Sequence, residues 1–384
     1  MALHVFGAIV TGYGCAANNR GETEGNITTL QKLLWKGNVH TTVSSEAIRW
    51  ALRYHRQQSV QTHELNRTWD DEKNDLSFSD QDYKAWHPTK PEGDTLWDDD
   101  LFGFMDASAS SEESELQNEI PRVKADLETK QRAKPNDEKL KKKLSDFEEN
   151  LRLLRETRQK LAQAEDTGEE ANKNQLEKEV QSIRKKLGLK SIAVVRRGVL
   201  EVARAISTTP FAGDLSFNAK SGKKDRTSLY GTEIHSTRYQ YGFAMTPERL
   251  RVQKRCLDAL DAFGSLGEVA GNQSRFLFDF SPESIVIRIT HDPAPRILYC
   301  FEETNNFISV PELLKKIAAG DIKTEELFIG GLLADSKEIK ELNIPNCFRG
   351  IKTAIETAKT KIEKEREELK NQNNKTSGKS DVSK

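Results

Sequence analysis

The sequence predicts an α+β protein: a split β-α-β body whose mixed or antiparallel sheet carries helices on one face, interrupted by a charged helical insertion. Three observations lead there. The apolar run from Leu3 to Thr11 reads as a central, buried strand, followed by loop chemistry and a capped helix. A second set of strand and helix patterns resumes at Ser191. Between the two sets the composition changes: Ala107 to Lys190 holds 19 Lys/Arg and 18 Asp/Glu, a block dense in charge yet nearly neutral.

Taken in order, the strand at Leu3–Thr11 runs into "GYGCAANNRGE", too rich in Gly and Asn for regular structure. Ser44 or Ser45 caps a helix that begins near Glu46. Ile48, Leu52 and His55 recur on one side of that helix and Arg49, Arg53 and Arg56 on another, which predicts a helix docked on a sheet with a charged outer face. His63 to Asp100 is polar, with Trp69, Trp86 and Trp97 among acids, and reads as irregular or weakly helical. In the charged block, Leu140, Leu144, Phe147, Leu151, Leu154 and Leu161 keep a three-four spacing, and Leu176, Val180, Ile183 and Leu187 repeat it. "AEDTGEEAN" turns the chain between them, so the block reads as two helices in an antiparallel hairpin.

Beyond the block, "RYQYGFAM" sets Tyr239, Tyr241 and Phe243 on one side of a strand. Thr246 caps the next helix with Pro247 in its first turn, and Leu250, Leu257, Leu260 and Phe263 are its buried positions. "SRFLFDFSPESIVIRIT" reads as a hairpin around Ser281 to Ser284, and "RILYCFEE" as another strand. Pro311 opens a short helix, and "ELFIGGLLA" supplies a late strand or helix edge. The segment from Lys352 to Lys384, with nine Lys/Arg and six Asp/Glu, begins as a helix and ends disordered.

A net charge of -1 means that any polyanion must meet a local basic face rather than a basic protein. Cys15, Cys256, Cys300 and Cys347 are too scattered for a zinc site and read as free thiols in a reducing compartment. No apolar run approaches the roughly 20 residues of a membrane span, so the expected location is cytoplasmic, with no membrane partner.

Asp98, Asp99 and Asp100 are adjacent acids, but no histidine lies within helical reach, and the seven histidines form no ligand motif. The expectation is therefore no metal, no cofactor and no catalytic residue, with the acids in a solvated loop or partner contact. The basic residues carry more. Ser191 to Arg255 holds twelve Lys/Arg against five Asp/Glu, among them Arg196, Arg197, Lys220, Lys223, Lys224, Arg226 and Arg238. Spaced cations suit a phosphate chain, with Tyr230, Tyr239 and Tyr241 as stacking candidates. Near the N-terminus, Asn18, Asn19 and Arg20 lie beside Gly21, while Thr41, Thr42, Ser44 and Ser45 offer hydroxyls at a helix start and Arg49 and Arg53 follow one and two turns on. A plain helix cap explains Ser44 equally well.

The run "HVFGAIVTGYGCAANNRGETEGNITTLQKLLWKGNVHTTVSSEAIRWALRY", with "LWDDDLFGFMDA", "RRGVLEVARAISTTPFAGDLSFNAKSG" and "LYGTEIHSTRYQYGFAM", resembles the CRISPR Cas7 backbone family, in the DevR or Cst2 branch associated with type I-B systems. The resemblance spans most of the chain outside Ala107–Lys190 and the tail. It implies a modified RRM (ferredoxin-like) palm with finger and thumb insertions: residues 1–106 as the first part of the palm with a finger segment, 107–190 as the added helical hairpin, 191–351 as the remainder of the palm with a candidate thumb at 208–236, and 352–384 as the tail. It implies a non-catalytic Cascade subunit that forms a filament with other Cas7 copies along a guide crRNA, displaces a nucleotide at regular intervals with its thumb and leaves the guide to pair with target DNA. The implied companions are Cas5, Cas6, Cas8 and the small subunit, with Cas3 or transposition proteins downstream. Asn18, Asn19, Arg20 and Thr41 to Ser45 are then guide-RNA contacts, with Arg49 and Arg53 second. Two other readings stand beside it: an RNA-cleaving enzyme using Asp98 to Asp100 or Asp214, and a DNA-binding autoregulator.

Overall fold

The computed structural model describes residues 2–17, 22–59, 64–81, 83–86, 93–105, 119–167, 170–189, 195–219, 229–270 and 277–377. Its main sheet is built from β1 (His4–Thr11), β2 (Lys32–Trp35), β3 (Asn38–Val43), β4 (Glu201–Val202), β5 (Ala205–Ser207), β6 (Tyr239–Met245), β7 (Pro282–Thr290), β8 (Leu327–Gly331) and β9 (Asn346–Phe348). The helices are α1 (Ser45–Ser59), α2 (Trp97–Phe102), α3 (Ile120–Ala133), α4 (Glu138–Thr167), α5 (Glu170–Lys186), α6 (Arg255–Gly264), α7 (Pro311–Ala318), α8 (Lys337–Glu341) and α9 (Ile351–Ser377). The chain divides into two compact units: residues 1–81, 94–103 and 198–384 form the first, and residues 82–93 and 104–197 the second.

In the first unit the strand order is β9-β8-β7-β1-β6-β5-β3-β2, with β4 also paired to β6. β1 is antiparallel to both neighbours, with Val5 opposite Met245 on β6 and Ile289 on β7. The β8/β9 pair is parallel. The apolar run of β1 is continuous rather than alternating because both of its faces are buried. Val5 and Ile9 join Tyr241, Phe243, Ile285 and Ile287 in one core, which α1, α6 and α9 cover with Ile48, Leu260 and Ile355. Phe6, Ala8 and Val10 join Val286 and Ile329 in a second core, closed by Leu313 of α7 and Ile339 of α8. The expectation of helices on one face is therefore corrected: both faces are covered, as an unbroken apolar strand requires.

Gly7 lies opposite Phe243, and a Cβ at residue 7 would come 2.1 Å from that ring. The Phe243 ring is thereby free to stack on Phe263, with centroids 4.3 Å apart. β2 and β3 form a hairpin whose two turn residues, Lys36 (φ 47°) and Gly37 (φ 85°), both take the left-handed region that tight hairpin turns demand.

Other expectations also change. Among the described residues, 277–280 form no strand and no hairpin closes around Ser281; β7 pairs with β1 and β8 instead, and Phe278 and Phe280 pack into the core. "RILYCFEE" contributes only its last two residues, to the strand Glu302–Thr304, which pairs with Phe307–Ser309. Thr246 makes no side-chain cap; Pro247–Arg249 is a short 3-10 turn and α6 starts at Arg255, though all four expected positions are buried. Arg67–Asp70 and Asp75–Phe78 form a hairpin in the stretch expected to be irregular. α9 stays helical through Ser377, further than expected, and residues 378–384 lie outside the described residues.

Among the described residues the second unit has three helices rather than the expected two. Val123 and Leu127 give α3 its apolar side and pack with Ile120 against Phe147, Leu154, Val180, Ile183 and Leu187. No helix among the described residues is long and apolar enough to cross a membrane.

Candidate nucleic-acid interface

A small sheet in the first unit organises the segments that the sequence nominates. Leu215–Ala219 and Leu229–Glu233 form an antiparallel hairpin. The second strand of this hairpin also pairs, in parallel, with Ile27–Thr28, which folds back on Thr23–Glu24. Close by in sequence, Gly14–Ala16 pairs with His235–Thr237. The chain on both sides of residues 18–21 is thus hydrogen-bonded to the chain that follows residues 220–228. Asn18, Asn19, Arg20, Lys220, Lys223, Lys224 and Arg226 themselves lie outside the described residues.

Polar side chains fix the base of this sheet. Both carboxylate oxygens of Glu233 accept from Lys32 Nζ, at 2.7 and 2.8 Å, and one also accepts the Leu30 backbone N–H at 2.7 Å. Thr41 Oγ1 lies 2.8 Å from both His235 Nδ1 and the Tyr239 hydroxyl. Thr209 and Thr237 share a 2.8 Å hydrogen bond. Burial lowers the His235 pKa, which keeps the ring neutral within this network.

Thr41, Thr42 and Ser44 are buried and their hydroxyls have partners inside the chain. Thr42 Oγ1 accepts from Arg204, and Ser44 Oγ accepts the Ala47 backbone N–H, the ordinary work of a helix cap. Ser45 is half-buried as the first residue of α1. These residues set the frame that carries β3 into α1.

Arg49 and Arg53 do not form a solvated stripe with Arg56: Arg53 meets the acid cluster, and Arg49 meets the backbone carbonyl of Phe102 beside it. Asp98, Asp99 and Asp100 are 0%, 1% and 0% exposed, so the expected solvated loop is corrected to a buried ionic hub. Asp98 accepts from Arg53 at 3.1 Å, from Arg67 at 3.2 Å and from the Asn66 backbone N–H at 2.7 Å. Asp99 accepts from Asn66 Nδ2 at 2.8 Å and Arg67 at 2.9 Å. Asp100 accepts from Arg255 at 2.8 Å and from the backbone N–H groups of Arg251 and Val252 at 3.0 Å each. Arg49 donates to the Phe102 carbonyl. Arg56 pairs with Glu64 at 2.8 Å. Burial, then the Arg67 charge, pushes the Arg53 pKa down to about 10, while burial and Asp98 push that of Asp99 up to about 7.

Arg238 lies between two carboxylates, donating to Glu283 at 2.8 Å and Glu303 at 2.7 Å. Burial opposes its charge, yet the two acids hold its pKa above the ordinary value. Arg196 and Arg197 belong to the second unit, where Arg196 sits 4.0 Å from the centroid of the Trp86 ring and Arg197 is exposed. Tyr239 and Tyr241 are core residues, which corrects their reading as stacking platforms. On the hairpin itself Phe217 is 70% accessible and Leu229 67%. The alternation in "LSFNA" is the sequence signal for that strand, and the lysines that follow it are loop chemistry.

The architecture is that of a mixed α+β protein with several sheets. Among the described residues no group of three or more His, Cys, Asp or Glu side chains is placed to hold a metal ion. No family model matches the sequence. A Myxococcus xanthus protein described as CRISPR-associated protein Cas7/Cst2/DevR is 38% identical over 376 residues, spanning 94% of this chain and 99% of that one. The chain belongs to the CRISPR-associated Cas7/Cst2 family. Chains from two solved CRISPR RNA-guided surveillance complexes, one of them pre-nicking, align with 93% of this chain at 10% and 12% identity, each with a TM-score of 0.44, and are themselves covered over 100% and 99% of their length.

Proposed function

We propose that this chain is a non-catalytic backbone subunit of a CRISPR Cascade, of type I-B-like character in the DevR/Cst2 branch, that oligomerises along guide RNA and presents it in segments to target DNA. Family membership over nearly the whole chain supports the class. One juxtaposition supports the site: the strands flanking residues 18–21 and 220–228 are paired with one another, so the two segments richest in RNA-binding chemistry leave from linked edges. In this reading the 208–236 hairpin is the thumb of an RRM-like palm, Phe217 lies on its exposed face, and Arg20, Lys220, Lys223, Lys224 and Arg226 hold phosphates. Asn18 and Asn19 meet the same strand. Thr41, Thr42, Ser44, Ser45, Arg49, Arg53 and Arg238 act mainly by holding the frame, and Arg196 and Arg197 are outlying contacts. The partners are guide crRNA, target DNA, further copies of the chain, Cas5, Cas6, Cas8 and the small subunit, with Cas3 or transposition proteins downstream.

The ion-paired state of Asp98 to Asp100 favours this over RNA cleavage by those acids, since each already accepts from an arginine. The test is purification with the companion proteins and a guide array, followed by native mass measurement and sequencing of bound RNA. Several copies per guide of defined length are expected, and Arg20→Glu should weaken guide retention with an unchanged melting temperature. A chain that stays free of guide RNA while its companions assemble would defeat the proposal.

A further inference from the structure

An aromatic groove on the first unit belongs neither to its cores nor to the segments assigned to guide RNA. It forms where α1 meets the hairpin of Arg67–Asp70 and Asp75–Phe78. Trp50, Tyr54 and Gln57 stand at i, i+4 and i+7 on α1, so they share one side of that helix. On the hairpin Trp69 lies opposite Leu76, and the two-residue period puts Arg67 and Phe78 on the same face. The Trp50 ring stacks on Tyr54 with centroids 5.0 Å apart and meets Trp69 edge-on at 6.3 Å. Arg53 and Arg67 complete the lining.

The groove is built before any ligand arrives. The Gln57 side-chain amide donates to the Trp69 carbonyl and accepts the Trp69 backbone N–H, at 2.8 Å each, which fixes the hairpin on the helix. Trp50, Leu76 and Phe78 are nonetheless 38%, 39% and 42% exposed, so one face leaves large apolar side chains together in water.

Two features define what covers it. The first is hydrogen bonding. The indole N–H groups of Trp50 and Trp69 and the Tyr54 hydroxyl make no hydrogen bond among the described residues. An occupant must therefore bring acceptors together with apolar surface. A helix engages its own carbonyls along its length, whereas a polyproline II segment keeps its carbonyls free beside its proline rings. The second feature is charge. Asp71, Glu72 and Asp75, at the turn of the hairpin, are exposed and make no ion pair among the described residues. Lys73, the cation of that turn, pairs with Asp70 at 2.8 Å. Arg53 and Arg67 are taken by Asp98 and Asp99. The groove thus ends in unpaired negative charge, which repels a phosphate chain and attracts lysine or arginine.

We infer that this groove docks a proline-rich, basic segment of a partner protein in the polyproline II conformation. The prolines pack on Trp50, Tyr54 and Trp69, the three donors reach peptide carbonyls, and a lysine or arginine beyond the prolines meets Asp71 and Glu72. The inference stands apart from guide binding and uses residues that reading leaves unassigned.

The experiment titrates the full chain, alone and in its guide-loaded assembly, with the fluorescein-labelled peptide Gly-Pro-Pro-Arg-Pro-Pro-Lys-Pro-Gly, followed by anisotropy. Binding should saturate, alanine in place of every proline should abolish it, and glutamate in place of arginine and lysine should weaken it about two- to fivefold. Trp50→Ala should weaken it by about tenfold or more, as loss of a central aromatic anchor does. Tyr54→Phe keeps the ring and removes one donor, and should cost about two- to tenfold. Asp71→Lys with Glu72→Lys, at exposed positions, should reverse the preference between the basic and acidic peptides. Guide content should be the same in all these variants. Absence of saturable binding, equal binding of the proline-free peptide, or unchanged affinity in both Trp50→Ala and Tyr54→Phe would overturn the inference. Tighter binding after Pro88→Ala with Pro91→Ala, which lie outside the described residues, would also overturn it, assigning the groove to a proline run of this chain. Loss of peptide binding on assembly would overturn it in favour of a second copy as the occupant.

Discussion

Three consecutive buried aspartates are costly unless each has a cation and a further hydrogen-bond donor, and the chain supplies these from distant segments. Asp98 takes Arg53 and Arg67, and Asp100 takes Arg255. Asp99 shares Arg67 with Asp98 and is the least well compensated, with its pKa raised to about 7 by burial and by Asp98. A carboxyl raised in this way holds its proton more tightly in the folded than in the unfolded chain. Its contribution to stability is complete below its unfolded pKa of about 4 and is lost as pH rises through about 7. Unfolding free energy should therefore carry a component that falls with pH between those values, by up to about 1.4 kcal/mol per pH unit, and Asp99→Asn should remove it. Urea denaturation of both proteins across that range checks this; identical pH profiles would contradict it. The hub was not legible in the sequence, because adjacent acids read as solvated until the arginines that meet them, up to 155 residues away, are placed in space.

At the scale of elements, the N-terminal strand was legible and its covering was not. A run without a polar residue from Val5 to Val10 announces a buried strand, but the helices of the second face are short and their apolar positions few. The pair Gly7 and Phe243 tests this packing. Gly7→Ala would force the Phe243 ring off Phe263, and overpacking of this kind costs about 1–3 kcal/mol. Guanidinium denaturation would measure it, and a neutral substitution would mean that the ring has room to move. The small sheet under residues 18–21 and 220–228 was half legible: Gly, Asn and Lys marked loops, but the parallel pairing of Ile27–Thr28 with Leu229–Glu233 joins segments some 200 residues apart, which no local pattern encodes.

At the scale of the molecule, the two units differ in how much holds them. The first has apolar cores on both faces of its sheet, whereas the second relies on one cluster of seven buried apolar residues among those described. Amide hydrogen exchange should reflect this. Protection in β1 and β7 should approach that of global unfolding, and α3, with one buried residue, should exchange by a lower-energy opening. Mass spectrometry of peptides from both regions decides it, and equal protection would show that the units unfold together.

The central position of β1 also sets the order of events at the ribosome. Its partners, β6 and β7, are made some 240 and 280 residues later. At about 5–20 residues per second, the most apolar strand waits roughly 10–60 s before either neighbour exists. Throughout that interval Val5 to Val10 is an unpaired, apolar segment of a long nascent chain. Synthesis of this protein should accordingly lean on holding chaperones, and its yield should respond to translation speed more than its final stability would imply.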